Sequence, residues 1–120
     1  CIMLPVSAPF YCSLMQPAAD AMADALASTI ITPPSVPLIA NVAADEVRVP
    51  EKIRNNLVAQ VTGRVRWRES MMALREKGVD TLVEAGSGKV LSGLARRIDR
   101  ELSAVSVQGP KDIENFLASL

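Results

Sequence analysis

Thr81-Leu82-Val83-Glu84-Ala85-Gly86-Ser87-Gly88-Lys89-Val90-Leu91 is the stretch that decides the fold. A short run rich in β-forming residues meets two glycines, and a helical pattern starts immediately after them. Strand, tight turn and helix in eleven residues make a βα unit, in which glycine lets the chain turn sharply and pack closely. Downstream, Val90, Leu91, Leu94, Ile98 and Leu102 form one apolar stripe with Lys89, Arg96, Arg97 and Arg100 outside it. A second β-type run follows at 104–107, and a last helix after Pro110 is expected to bury Ile113, Phe116, Leu117 and Leu120. Upstream, Leu14, Ala18, Met22 and Leu26 recur every four residues, widened by Met15 and Ala19, with Asp20 and Asp24 opposite. Ile53, Leu57, Val58 and Val61 repeat the pattern after Pro50, a residue suited to a first helical turn. Trp67, Met71 and Leu74 mark another helix, stopped by Gly78. The apolar runs 36–42, 81–85 and 104–107, each flanked by helices, read as short parallel strands covered by helices. The fold class is α/β.

Composition narrows the function. Thirteen basic and thirteen acidic residues cancel in 120, so no field for nucleic acid or an anionic membrane is expected. Prolines 33, 34 and 37 interrupt the longest apolar stretch, which argues against a membrane span. No histidine is present and Cys1 and Cys12 are the only thiols, so no metal site is expected. Two cysteines could close one disulfide, but reduced thiols in a cytoplasmic protein are the simpler reading. The chain opens at Cys1 rather than at a methionine, in what reads as a strand approach; it is expected to be a segment of a longer protein.

The glycine turn invites a nucleotide-binding reading, because backbone N–H groups at a helix N-terminus attract anions. A phosphate loop needs Gly-x-x-x-x-Gly-Lys-[Ser/Thr], and neither that spacing nor the final hydroxyl is present. A tight packing turn explains the same residues.

A second informative stretch is Leu4-Pro5-Val6-Ser7-Ala8-Pro9-Phe10-Tyr11-Cys12-Ser13-Leu14-Met15, a β-type run entering a proline-punctuated corner. Ser13 is placed to cap the helix that follows and Pro17 suits its first turn. In open α/β sheets such strand ends present reactive side chains. The corner is similar to that of malonyl-CoA:acyl carrier protein transacylases, which reads Val-Ser-x-Pro-x-His-Cys. The turn Glu84-Ala85-Gly86-Ser87-Gly88-Lys89-Val90-Leu91, continuing through Gly93, Leu94, Arg96, Arg97 and Ile98, resembles the same family's last major βα turn. The resemblance runs over about 4–120.

It implies that 1–120 is the C-terminal segment of the acyltransferase's α/β-hydrolase-like large subdomain, the parent also carrying an inserted ferredoxin-like subdomain. The nucleophile elbow Gly-His-Ser-Leu-Gly, an oxyanion-hole glutamine and a malonate-binding arginine would all lie upstream. The implied reaction moves a malonyl group from CoA to serine and on to acyl carrier protein in fatty-acid synthesis. Malonyl-CoA is then a substrate, acyl carrier protein a partner, and no cofactor is expected.

By this resemblance Tyr11 and Gln60 hold the catalytic positions. Tyr11 stands where the family has its general-base histidine, and Gln60 matches a glutamine whose backbone carbonyl orients that imidazole. Phenols ionise near about 10 and donate rather than accept protons at neutral pH, so the segment itself is expected to be inactive. A half-buried ring with a hydrogen-bonded hydroxyl is the plain alternative for Tyr11. Phe10 and Asn41 are the substrate-side positions. A Phe before the histidine accompanies malonyl selection in related polyketide synthase domains, and Asn41 matches an asparagine near the cleft. A core anchor is an equal reading of Phe10. Arg64, Arg66 and Arg68 around Trp67 could receive an acidic carrier protein or the phosphates of CoA, or form a solvated helix start, with Glu69 close enough to screen them. A non-catalytic protein of the same fold that binds carrier protein or CoA is the alternative function.

Overall fold

The computed structural model describes residues 9–119. The β-type run around Leu4 and Val6, the Cys1 thiol and Leu120 lie outside the described residues. Two compact units are present, Cys1–Ser70 and Met71–Leu120.

In the first unit a 3-10 turn, Ser13–Met15, leads into α1, Gln16–Ala27. Pro17 occupies the first turn of α1, as its fixed φ and missing N–H favour. Ser13 is not the cap of α1: it opens the 3-10 turn, and Met15 precedes the helix with no side-chain cap. Strands β1, Leu38–Ala40, and β2, Asp45–Val47, form an antiparallel hairpin with Leu38 opposite Val47 and Ala40 opposite Asp45. The run 36–42 is therefore not a parallel strand. Its partner is the polar stretch 45–47, reached through a four-residue turn in which Ala44 adopts φ +54°.

Helix α2, Pro50–Thr62, packs beside α1, and the Arg54 Nη2 donates to the Thr29 carbonyl at 2.9 Å where the chain leaves α1. Core formation selects few residues here: Ala19, Val47 and Ile53 are buried, whereas Leu14, Met22 and Leu57 from the expected stripes are exposed. Helix α3, Trp67–Glu76, begins in this unit, with buried Ser70 donating its hydroxyl to the Arg66 carbonyl at 2.9 Å.

The second unit holds β3, Thr81–Ala85, and β4, Ser103–Val107, paired in parallel with Leu82 opposite Ala104 and Glu84 opposite Ser106. Helix α4, Val90–Ile98, packs on both strands, and α5, Pro110–Leu117, packs on β4. The α4 stripe ends sooner than its spacing implies. Leu102 is buried but lies past the helix, in the approach to β4, because the chain turns extended at Asp99. Of the apolar residues of α5, Ile113 and Leu117 are exposed and Phe116 is half-buried. The start of α5 is held by Asp112, whose carboxylate accepts the backbone N–H groups of Gln108 and Gly109 at 3.0 and 3.2 Å.

The βα turn is held by Glu84. Its carboxylate leaves β3 and accepts the Leu91 N–H at 3.1 Å, the Ser92 N–H at 2.8 Å and the Ser92 hydroxyl at 2.6 Å. Those bonds satisfy donors that the first turn of α4 would leave unpaired. Hydrogen bonds from the Ser92 hydroxyl and backbone, then from the Leu91 N–H, hold Glu84 below the usual carboxylate range. A lowered folded-state pKa contributes stability that is present above the unfolded value and lost as pH falls through the folded one. Thermal melts between about pH 3 and 7 should therefore show the parent losing melting temperature below about pH 4.5, with Glu84→Gln lower at neutral pH and flatter in acid.

Candidate functional site

Two expected site residues share one cavity. Asn41 opens the turn that follows β1 and Gln60 lies in the last turn of α2, and both line a hollow of about 200 Å³ walled by Leu38, Val47, Ile53 and Leu57. Gln60 is aimed by its own helix end: its Nε2 donates to the Gly63 carbonyl at 3.0 Å. Gly63 is required there for space, since a Cβ would stand 2.6 Å from the Ala59 carbonyl oxygen and 3.0 Å from the Val42 side chain. Asn41 is fixed through its backbone, whose carbonyl accepts the Arg66 N–H at 3.0 Å. Arg66 also donates Nη1 to the Ala43 carbonyl at 2.8 Å, so the chain entering α3 clasps the hairpin turn. The Asn41 Oδ1 is buried with no hydrogen-bond partner. An acceptor in that state favours a donor-bearing group beside it. Gly63 and Arg66 were not singled out for this role in the sequence. A glycine just past a periodic helix was the available signal for the first, and nothing local signals the second.

Phe10 and Tyr11 do not line this cavity. They occupy the corner before the 3-10 turn, which packs against both α1 and α2. Their rings lie 6.3 Å apart at 51°, and they are 56% and 53% exposed. Phe10 is thus not a core anchor. Tyr11 is not a half-buried ring with a bonded hydroxyl either, since that hydroxyl has no partner among the described residues. Tyr11 instead has φ +57°, the left-handed conformation that non-glycine residues rarely adopt and that concentrates at functional corners. Cys12 follows as a free thiol donating to the Pro9 carbonyl at 3.2 Å.

The arginine cluster is partly neutralised. Glu69 lies 3.4 Å from Arg66 and 3.7 Å from Arg64, and Arg64 is largely exposed. Its own backbone N–H first, and the Arg66 and Arg64 guanidiniums next, hold Glu69 below the usual carboxylate range.

At the glycine turn four backbone donors are held within the protein. Gly86 N–H donates to the Val107 carbonyl at 3.1 Å and Gly88 N–H to the Gln108 Oε1 at 3.2 Å. Glu84 takes those of Leu91 and Ser92. Gly86 and Gly88 have φ +136° and +100°, so glycine is there for backbone conformation. Among the described residues no cluster of three or more His, Cys, Asp or Glu side chains could hold a metal ion. No helix among them is long and apolar enough to cross a membrane.

Comparison with known proteins decides the family. The chain is 40% identical over 119 residues to the malonyl CoA-acyl carrier protein transacylase of Bacillus subtilis, covering 99% of the chain and 38% of that protein. It superposes on the acyl-carrier-protein S-malonyltransferase of Bartonella henselae with a TM-score of 0.89 at 54% identity, over 97% of the chain and 37% of the other. By sequence and by fold the chain belongs with the malonyl CoA-acyl carrier protein transacylases. A malonyl-transacylase solved in complex with a type II PKS acyl-carrier protein also superposes, with a TM-score of 0.88 at 38% identity over 98% of the chain and 38% of that protein. The chain thus spans little more than a third of the length of these relatives. No protein-family model matches it.

The structural role of the glycine turn makes a clear expectation. Gly86→Val should destabilise by about 1–3 kcal/mol, from backbone strain rather than lost ligand contacts. Urea unfolding measures the loss, and isothermal titration of the parent with ATP should give no heat of specific binding.

Proposed function

We propose that this chain is the C-terminal segment of the large subdomain of a transacylase that transfers malonyl from CoA to acyl carrier protein in fatty-acid synthesis in the cytoplasm. In that reading malonyl-CoA is a substrate, acyl carrier protein is the partner and no cofactor takes part. The carrying observation is the left-handed Tyr11 at the corner where the family has its histidine, within a chain homologous over nearly its whole length. A strained backbone at that corner supports a site that still has the geometry for holding a base. The chemistry has changed. A histidine there would take the serine proton as the thioester carbonyl is attacked, and return it to the departing thiol. The nucleophilic serine belongs to the part of the fold outside this chain, and a phenol is a poor base at neutral pH. The segment alone is therefore proposed to be inactive.

Phe10, exposed beside Tyr11, is proposed to border the acyl group, and Asn41 to present its unpaired Oδ1 near the cleft. Gln60 is proposed to act through its backbone carbonyl, held in place by the helix end that Gly63 closes. The complete lack of histidine favours the second reading, a non-catalytic binder of carrier protein or CoA on the same fold.

The deciding experiment joins this chain to the upstream portion of the Bacillus subtilis relative and compares Tyr11 with Tyr11→His in malonyl transfer to carrier protein. Tyr11→His should raise the rate by about 10²–10⁴-fold, the usual contribution of a positioned general base. Equal rates across about pH 6 to 9 would place the base elsewhere.

In the same fusion, Arg64→Glu with Arg68→Glu should slow carrier-protein association at low salt. The difference should shrink towards physiological ionic strength, where the Debye length is about 8 Å. Stopped-flow association at two salt concentrations reads it. Unchanged low-salt rates with an intact fold would mark these arginines as solvated surface only.

A further inference from the structure

Two of the proposed site residues are tied to opposite ends of one short link. Only residues 63–66 separate α2 from α3. At the start of the link the Gly63 carbonyl accepts Gln60 Nε2 at 3.0 Å. At its end Arg66 donates its N–H to the Asn41 carbonyl, also at 3.0 Å. How Asn41 stands relative to Gln60 across the hollow therefore depends on how firmly the link grips the hairpin turn.

One side chain supplies that grip from outside the turn. The turn 41–44 carries Ala44 at φ +54°, a conformation that a residue with a side chain keeps only where its surroundings impose it. Within the turn, the N–H groups of Ala43 and Ala44 both donate to the Ala40 carbonyl, at 3.1 and 2.7 Å. Across the gap Arg66 Nη1 donates to the Ala43 carbonyl at 2.8 Å. The guanidinium is itself aimed, because the Glu69 carboxylate stands 3.4 Å from Arg66 Nε. The Arg66 carbonyl accepts the N–H and the hydroxyl of buried Ser70, each at 2.9 Å, which fixes its backbone to the first turn of α3. Arg66 is thus bonded on three sides, and Asn41 beside it keeps a buried Oδ1 with no partner.

We propose that Arg66 is a positioning residue for substrate binding: by holding the 41–44 turn it aims the Asn41 Oδ1 at an N–H donor of bound malonyl-CoA. The amide groups of the CoA arm are donors of the kind that a buried, unpaired amide oxygen accepts. Arg66 acts through Asn41 and touches no substrate itself. The proposal rests on the transacylase reading and on Asn41 as a substrate-side residue, and it does not depend on the chemistry of Tyr11.

The test uses the fusion of this chain to the upstream portion of the Bacillus subtilis relative, with Tyr11 unchanged, and measures malonyl-CoA affinity by calorimetry rather than turnover. Amide hydrogen exchange is read on the 120-residue chain alone. The bond from the Arg66 N–H survives any substitution but proline, so Arg66→Ala removes the guanidinium only. It should weaken malonyl-CoA binding about tenfold and speed exchange of the Ala43 and Ala44 amides by about the same factor. Arg66→Lys, which can still donate to the Ala43 carbonyl, should recover most of the affinity. Asn41→Ala should also bind about tenfold more weakly, and the double variant should be no weaker than Asn41→Ala alone, as expected when one residue acts through another. Should Arg66→Ala not fold, Arg66→Met keeps the aliphatic stem without the donors. Additive losses, full affinity in Arg66→Ala, unchanged Ala43 and Ala44 exchange, or no recovery in Arg66→Lys would each overturn the proposal alone. No binding by the parent fusion would overturn the transacylase reading and the proposal with it.

Discussion

The three hydrogen bonds converging on the Glu84 carboxylate organise the second unit. Strand β3 and helix α4 are joined by a turn with two glycines at positive φ, which is flexible by itself. Glu84 links the strand directly to the first turn of the helix, and the hydroxyl of Ser106 donates to the Gly88 carbonyl from β4 at 2.8 Å. Gln108 reaches back to the Gly88 N–H from the end of β4. Strand, turn, helix and second strand thus share one polar network.

The first unit is organised by a clasp of a different kind. Arg66 holds the Asn41 carbonyl with its N–H and the Ala43 carbonyl with its guanidinium, while Glu69 holds Arg66 in turn. This fixes the hairpin turn against the start of α3. Gly63 lets the end of α2 approach Val42, which brings Gln60 to the same hollow as Asn41. A polar residue at the start of the hairpin turn and another on a helix end meet because one glycine and one arginine close the distance between their elements.

Tyr11 concentrates the functional question. Its backbone adopts the left-handed conformation at φ +57°, its ring is exposed, and its hydroxyl has no partner among the described residues. Backbone conformation and side-chain chemistry can separate in this way because φ is set by the proline-bounded turn and its packing, whereas proton transfer depends on the side chain alone.

Much of this protein is determined by local sequence. The βα turn at 81–91, Pro17 and Pro50 in first helical turns and the helical spacing around Met71 and Leu94 follow from φ preferences and periodicity, which need no distant partner. The family was legible in two motifs, because their residue types and spacing are specific together. Tertiary structure decided the rest. Only packing could pair 45–47 with 38–40 in antiparallel fashion, since a three-residue strand carries too little pattern to state its neighbour. Only packing could place Leu102 beyond α4, leave Leu14, Ile113 and Leu117 exposed, and gather Asn41 and Gln60 without Tyr11. Periodicity names the apolar face of an element, but burial requires a surface to cover that face, and that surface is a property of the assembled fold.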